Sequence, residues 1–117
     1  MLRFKNAYSD EYRKFESKRV LTKFPDRKPV ICEVSSNARN DCPLIDKKKY
    51  LVPDYLTFGQ FMYVIRKRLK ISSEKALFLF VDNRLPPSTI PMCDLYHMCK
   101  DEDGFLYVTY SFENTFG

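Results

Sequence analysis

One stretch of this chain carries the clearest marks of a helix able to organise a fold. Thr57 is followed three residues later by Gln60, the reciprocal pattern in which each side chain can satisfy the other's backbone amide. Phe58, Phe61, Met62, Val64, Ile65 and Leu69 then recur at helical spacing. The run ends in Arg66-Lys67-Arg68, cations suited to the carbonyl end of a helix. Sequence on both sides of it has the period of strands. A chain of 117 residues is one domain's worth of protein, so the sheet those strands form is expected to bury one face of this helix.

Upstream, Val30, Cys32 and Val34 alternate with Ile31 and Glu33, which predicts a strand with one buried face. Residues 35–46 read as the connection of a wide hairpin to a second strand at about Lys48 to Pro53. Downstream, Ala76 to Val81 is a continuous apolar run, read as an interior strand, with a turn at Asp82-Asn83. Met92 to Met98 suits one or two helical turns. Phe105 to Tyr110 is the last strand, with Leu106, Val108 and Tyr110 on one face and Phe105, Tyr107 and Thr109 on the other. In front of all this, residues 1–28 read as helical. Tyr8, Tyr12 and Phe15 share one side, and Val20, Leu21 and Phe24 form a second group before Pro25, predicting two short helices packed on something larger. The order gives an α+β chain of the ubiquitin-like β-grasp type: a four-stranded mixed sheet around a central helix, with two additional N-terminal helices. Residues 1–28 are expected to form a helical extension, and 29–117 a ubiquitin-like domain with a C-terminal glycine tail.

Composition narrows the function classes. Ten Phe and eight Tyr supply a real core, which excludes global disorder. No apolar run approaches the roughly 18 residues that span a bilayer, and residues 1–20 lack a signal-peptide core. The expectation is a soluble protein of the cell interior. The formal net charge is +5, with nine basic and four acidic residues in 1–28 and eleven of each in the remainder. Such a basic segment suits an anionic membrane, a nucleic acid, an acidic protein tail, or simply solvent.

Chemistry-bearing motifs are missing. The sequence has no glycine-rich loop before a helix, no GxSxG and no HExxH. Cys32, Cys42, Cys93 and Cys99 form no CxxC pair, so reduced, partly buried thiols are expected. Cys93, His97 and Cys99 lack a fourth ligand for zinc and any orienting group for nucleophilic catalysis. Asp101-Glu102-Asp103 reads as a solvated acidic turn. Neither an enzyme, a metal site nor a cofactor is expected. Lys47-Lys48-Lys49, Arg66-Lys67-Arg68 and the basic N-terminus offer a footprint for nucleic acid, but no RNP-like strand pair accompanies it.

A different feature points to protein binding. On the second strand Leu51 shares a face with Lys47 and Lys49, while Tyr50 and Val52 point the other way. On the first, Ile31 shares its face with Glu33. Apolar residues among charges suggest an exposed groove with a polar rim, unless the N-terminal helices cover Ile31 and Leu51. Gly117 follows a short tail, and a narrow enzyme channel can accept such a tail and activate its carboxylate for transfer to an amine.

Several stretches together resemble the autophagy ubiquitin-like modifiers, the group containing GABA-receptor-associated protein and microtubule-associated protein light chain three. They are residues 24–31 (FPDRKPVI), 46–53 (DKKKYLVP), 56–61 (LTFGQF), 65–68 (IRKR), 76–81 (ALFLFV) and 101–107 (DEDGFLY). The resemblance implies a non-enzymatic tag. It would be matured by a cysteine protease that also delipidates it, then passed through activating and conjugating enzymes. Gly117 would finally be joined to phosphatidylethanolamine, giving a cytoplasmic protein that sits on autophagosome membranes when lipidated. It also implies cargo receptors that bind through an aromatic-x-x-aliphatic peptide added as a strand at the sheet edge. Glu16, Val20, Pro29, Ile31, Lys47, Lys49, Leu51 and Phe105 would line the aromatic pocket. Tyr50, Val52, Pro53, Leu56, Phe61, Val64 and Ile65 would line the aliphatic one. Lys47, Lys49 and Arg68 would meet acidic residues of the peptide, and Lys49 and Leu51 would offer backbone bonds. No nucleic-acid partner is implied. Asp10 departs from the family's apolar aromatic at that place, so Tyr8, Tyr12 or Phe15 is expected to anchor the first helix, and the loop Ser35 to Ile45 diverges in sequence and length. An unconjugated adaptor and a small basic nucleic-acid binder are the other readings.

Overall fold

The computed structural model describes residues 3–114. In chain order the elements are α1 (Phe4–Ala7), α2 (Asp10–Lys23), β1 (Arg27–Val34), β2 (Lys49–Pro53), α3 (Phe58–Leu69), β3 (Phe78–Phe80), α4 (Met92–Cys99) and β4 (Leu106–Ser111). The strands form one mixed sheet in the order β2-β1-β4-β3. β1 and β4 pair in parallel at its centre, and β2 and β3 flank them antiparallel. This is the ubiquitin-like β-grasp, with α3 as its central helix and the two N-terminal helices added.

α3 forms where its pattern requires. Thr57 Oγ1 accepts from the Gln60 amide at 3.2 Å and Gln60 Oε1 accepts from the Thr57 amide at 2.9 Å, closing the capping box. Phe58, Phe61 and Ile65 are buried against Val30, Cys32, Tyr50, Val52, Leu106, Val108 and Tyr110. The helix stops at Lys70, which turns left-handed at φ 57°. The Val81–Arg84 connection is a tight two-residue turn closed in both directions, with Asp82 and Asn83 at positive φ. Two small polar residues take up that conformation more readily than most.

Four local expectations are corrected. The N-terminal break falls at Ser9, whose Oγ accepts from the Tyr12 amide at 3.1 Å and starts α2, so residues 10–23 make one helix of 14 residues. Tyr8, Tyr12 and Phe15 do not anchor it: they are 44%, 42% and 66% exposed. The anchor is Phe4, packed edge-on against Phe105 with ring centroids 5.2 Å apart, over Ile31. β1 is buried on both faces from Lys28 to Glu33, because α1 and α2 cover the side opposite α3. Finally, of the apolar run Ala76 to Val81 only Phe78–Phe80 forms the strand, and it lies at the sheet's edge rather than inside it.

Candidate functional site

The other edge strand, β2, is the centre of the candidate site. β1 pairs with it from Arg27↔Pro53 to Ile31↔Lys49. The Cys32 amide donates to the Lys48 carbonyl at 2.8 Å, which sets the phase of the ladder. Because bonded and non-bonded pairs alternate in an antiparallel ladder, Lys49 and Leu51 turn their backbone N–H and C=O away from β1, toward the open edge. Pro29, which has no N–H, stands opposite Leu51 in a non-bonded pair, so its missing donor removes no bond to β2. An extended segment can therefore add itself to this edge.

The two faces of β2 carry two different sets of side chains. Lys49 and Leu51 face α2, together with Pro29 and Ile31. Val20, Ile31 and Phe105 are at most 1% exposed and form the floor on this side, while Leu51 and Lys49 are half-buried on its wall. Glu16 spans the wall: its Oε1 and Oε2 take Arg19 at 2.8 and 2.9 Å, and Oε2 takes Lys49 Nζ at 2.6 Å. Arg19, then Lys49, hold the Glu16 carboxyl down at about 2, against an ordinary value of 4.5. Tyr50 and Val52 face the other way, onto α3. Tyr50 meets Phe61 edge-on at 5.7 Å and its hydroxyl donates to the Lys47 carbonyl at 2.7 Å. Burial pushes that hydroxyl's pKa above its usual value. Phe61 and Ile65 are buried beneath; Pro53 and Leu56 are half-buried; Val64 is 41% exposed at the mouth. One strand thus separates a face rimmed by charge from one of aliphatic and aromatic carbon.

The expectation of exposure at Ile31 and Glu33 is corrected. Ile31 has no exposed area, and Glu33 lies under α1, accepting from the Phe4 amide at 2.8 Å and from Lys48 Nζ at 3.1 Å. Arg68 is held by Asp46 at 2.9 Å, lowering that carboxyl's pKa, and Lys47 sits 5.2 Å over the Tyr50 ring. Much of the basic patch is thus already matched by carboxylates of the chain itself. Gly117 lies outside the described residues.

The acidic turn is also corrected, since Asp103 is 1% exposed. Its Oδ2 takes Arg13 Nη1 and Tyr107 Oη, each at 2.5 Å, and its Oδ1 takes the Phe105 amide at 2.9 Å. Burial, then the bond to Asp103, raise the Tyr107 pKa. Nearby, Asp101 holds Lys5 at 2.5 Å. No periodic signal announces this arrangement, because Asp103 sits in a run of like charge where only its neighbours in space set it apart. Cys32 and Cys42 are buried and free, with Cys93 and Cys99 half-buried. Among the described residues no group of His, Cys, Asp and Glu has the geometry to hold a metal, and no helix is long and apolar enough to cross a membrane.

A β-grasp sheet with an open edge beside an added helix places the chain among ubiquitin-like proteins. Comparison with known proteins is more specific. The family model described as "Autophagy protein Atg8 ubiquitin like" matches residues 12–117. "Autophagy-related protein 8" of Mycosarcoma maydis is 60% identical over 114 residues, covering 97% of this chain and 95% of that protein. Its namesake in Schizosaccharomyces pombe is 59% identical over 114 residues, covering 97% and 93%. The crystal structure of Trypanosoma brucei ATG8 superposes with a TM-score of 0.89 at 43% identity, over 100% of this chain and 99% of the other. Plasmodium falciparum Atg8, solved in complex with a Plasmodium falciparum Atg3 peptide, gives 0.87 at 37% identity, over 97% and 98%. The chain belongs to the Atg8 family: it is a non-catalytic ubiquitin-like modifier of autophagy.

Proposed function

We propose that this modifier is joined through Gly117 to phosphatidylethanolamine on autophagic membranes and there recruits receptors bearing aromatic-x-x-aliphatic peptides. The observation that supports the receptor half is the open β2 edge with partly exposed apolar side chains on each face, Leu51 on one and Pro53, Leu56 and Val64 by the other. Alternate side chains of an added strand point to opposite faces, so two anchors can enter different pockets while the peptide backbone pairs with Lys49 and Leu51. The charged rim suits acids around the peptide core, which would hasten encounter and select partners. That a relative was solved with an Atg3 peptide supports a peptide-accepting surface in this chain as well.

In this reading residues 1–28 are a helical extension that walls the aromatic pocket, ahead of the ubiquitin-like unit 29–117. The partners are the activating and conjugating enzymes, a processing and delipidating cysteine protease, and cargo receptors. The protein is cytoplasmic until lipidation brings it to the autophagosome membrane. Nucleic acid is disfavoured because no RNP-like strand pair accompanies the basic residues.

Intact-mass analysis tests the conjugation half, after incubation with the enzymes, ATP and phosphatidylethanolamine liposomes beside a Gly117→Ala control. A lipid-sized gain on the parent chain alone is expected. No gain, with enzymes active on another substrate, points to an unconjugated adaptor. Leu51→Ala tests the groove: peptide binding should weaken while circular dichroism stays unchanged.

A further inference from the structure

We propose that Asp103 is the positioning residue of the α2 wall: through Arg13 and Ser17 it fixes how closely that helix stands to the edge strand, and hence the shape of the aromatic pocket. The proposal rests on the peptide-docking reading above. Its basis is the way α2 is attached. The fully buried residues of this helix are Glu16, Ser17 and Val20, two polar side chains and one apolar, with Leu21 packed half-buried against the core beside them. Apolar burial is non-directional, and a valine with a half-buried leucine beside it does not by itself fix how far the helix stands from the sheet or its register. Directional bonds can.

Those bonds converge on one residue. The Asp103 side chain has no exposed area and takes Arg13, from α2, at 2.5 Å. The backbone carbonyl of the same residue takes Ser17 Oγ, one turn further along α2, at 2.6 Å. Asp103 is itself fixed by the Phe105 amide at 2.9 Å and by the Tyr107 hydroxyl, so it is clamped to the start of β4. Gly104, at φ +90°, completes the approach: a methyl group there would run into Ser17 Oγ and Cβ. Arg13 and Ser17 bracket Glu16, and Glu16 reaches across the pocket to Lys49 at 2.6 Å. Displacing the first pair displaces Glu16 with them, because a helix turn moves as a unit. Phe105, on the pocket floor, follows Asp103 by two residues and takes its position from the same carboxylate.

The test pairs amide hydrogen exchange with calorimetric titration of a Trp-x-x-Leu peptide carrying an acidic flank, using the full chain. Asp103→Asn keeps the shape and an acceptor but removes the charge that Arg13 answers. Exchange across residues 10–20 should rise tenfold or more while α3 and β1 stay protected. Affinity should fall about tenfold. An Ala-x-x-Leu peptide, which leaves the α2 pocket empty, should lose nothing, a split that general destabilisation would not produce. Adding Glu16→Gln to Asp103→Asn should weaken binding by less than the two single effects combined, because both act on one wall. Unchanged exchange in α2, or raised exchange with unchanged affinity for the Trp peptide, would overturn the proposal. If the parent chain binds no such peptide, the docking reading falls, and the exchange data still decide whether Asp103 sets the register of α2.

Discussion

α3 and α2 are of similar length, 12 and 14 residues, and lie on opposite faces of one sheet, yet they are held there by different chemistry. α3 brings Phe58, Phe61 and Ile65 into a continuous apolar core and is capped at its start by its own side chains. α2 brings Glu16, Ser17 and Val20, and is tied down by Asp103 and Lys49. The first attachment tolerates small shifts, since apolar contact has no preferred direction. The second fixes distance and angle but fails when one partner is lost. The proposed peptide groove, with one charged wall and one apolar wall, would have the matching attachment behind each.

The contrast can be broken from either side. Phe61→Ala removes a ring that is 1% exposed, so it should cost about 3–5 kcal/mol in urea unfolding and lower the stability of the whole chain. A loss well under 1 kcal/mol would mean that α3 is not held by its apolar face. Gly104→Ala forces a side chain into a positive-φ position against Ser17, at about 1–3 kcal/mol. Its exchange signature should be confined to α2 and the Asp101–Phe105 turn, and uniform loss of protection would erase the proposed division between faces. Thr57→Ala removes the α3 cap and should cost about 1 kcal/mol without touching α2.

The smallest effect sharpens the electrostatic half. Glu16 titrates at about 2 in the folded chain, below its ordinary 4.5. A depressed carboxyl stabilises the fold fully above its unfolded value, and that contribution is lost as pH falls from about 4.5 through about 2. Glu16→Gln should therefore flatten the acid limb of the stability profile in this window and leave neutral-pH spectra unchanged. Carbon-detected NMR titration of the carboxyl gives the direct check: a midpoint near 4.5 in the parent chain would show that Arg19 and Lys49 do not hold it.

How much of this was legible in the sequence follows the same divide. The α3 side is written in periodicity: Thr57 and Gln60 announce the cap, and Phe61, Ile65, Tyr50 and Val52 announce the faces that meet. The α2 side is not. Tyr8, Tyr12 and Phe15 carry the helical period most visibly and turn out to face solvent, while Glu16 and Ser17, unremarkable as letters, are buried. Parity placed Lys49 and Leu51 on the correct face of β2, but not the helices above Ile31. Asp103 was hidden among acidic neighbours because polar burial leaves no repeat to read; only a third dimension supplies its partners. The residues of the groove itself came from the family resemblance, with parity adding only which of them share a face.

The parallel pairing of β1 with β4 has a practical consequence for anyone labelling the molecule. Arg3 reaches the Val34 carbonyl and the Ser35 amide reaches Tyr110, so the first described residues and the departure of the C-terminal tail share one pole of the sheet. On the proposed conjugation, a bulky tag attached ahead of Arg3 would crowd the place from which the tail is handed over. The Asp82-Asn83 turn, exposed and lying toward the other pole, offers a fluorophore or affinity handle a site with no such conflict.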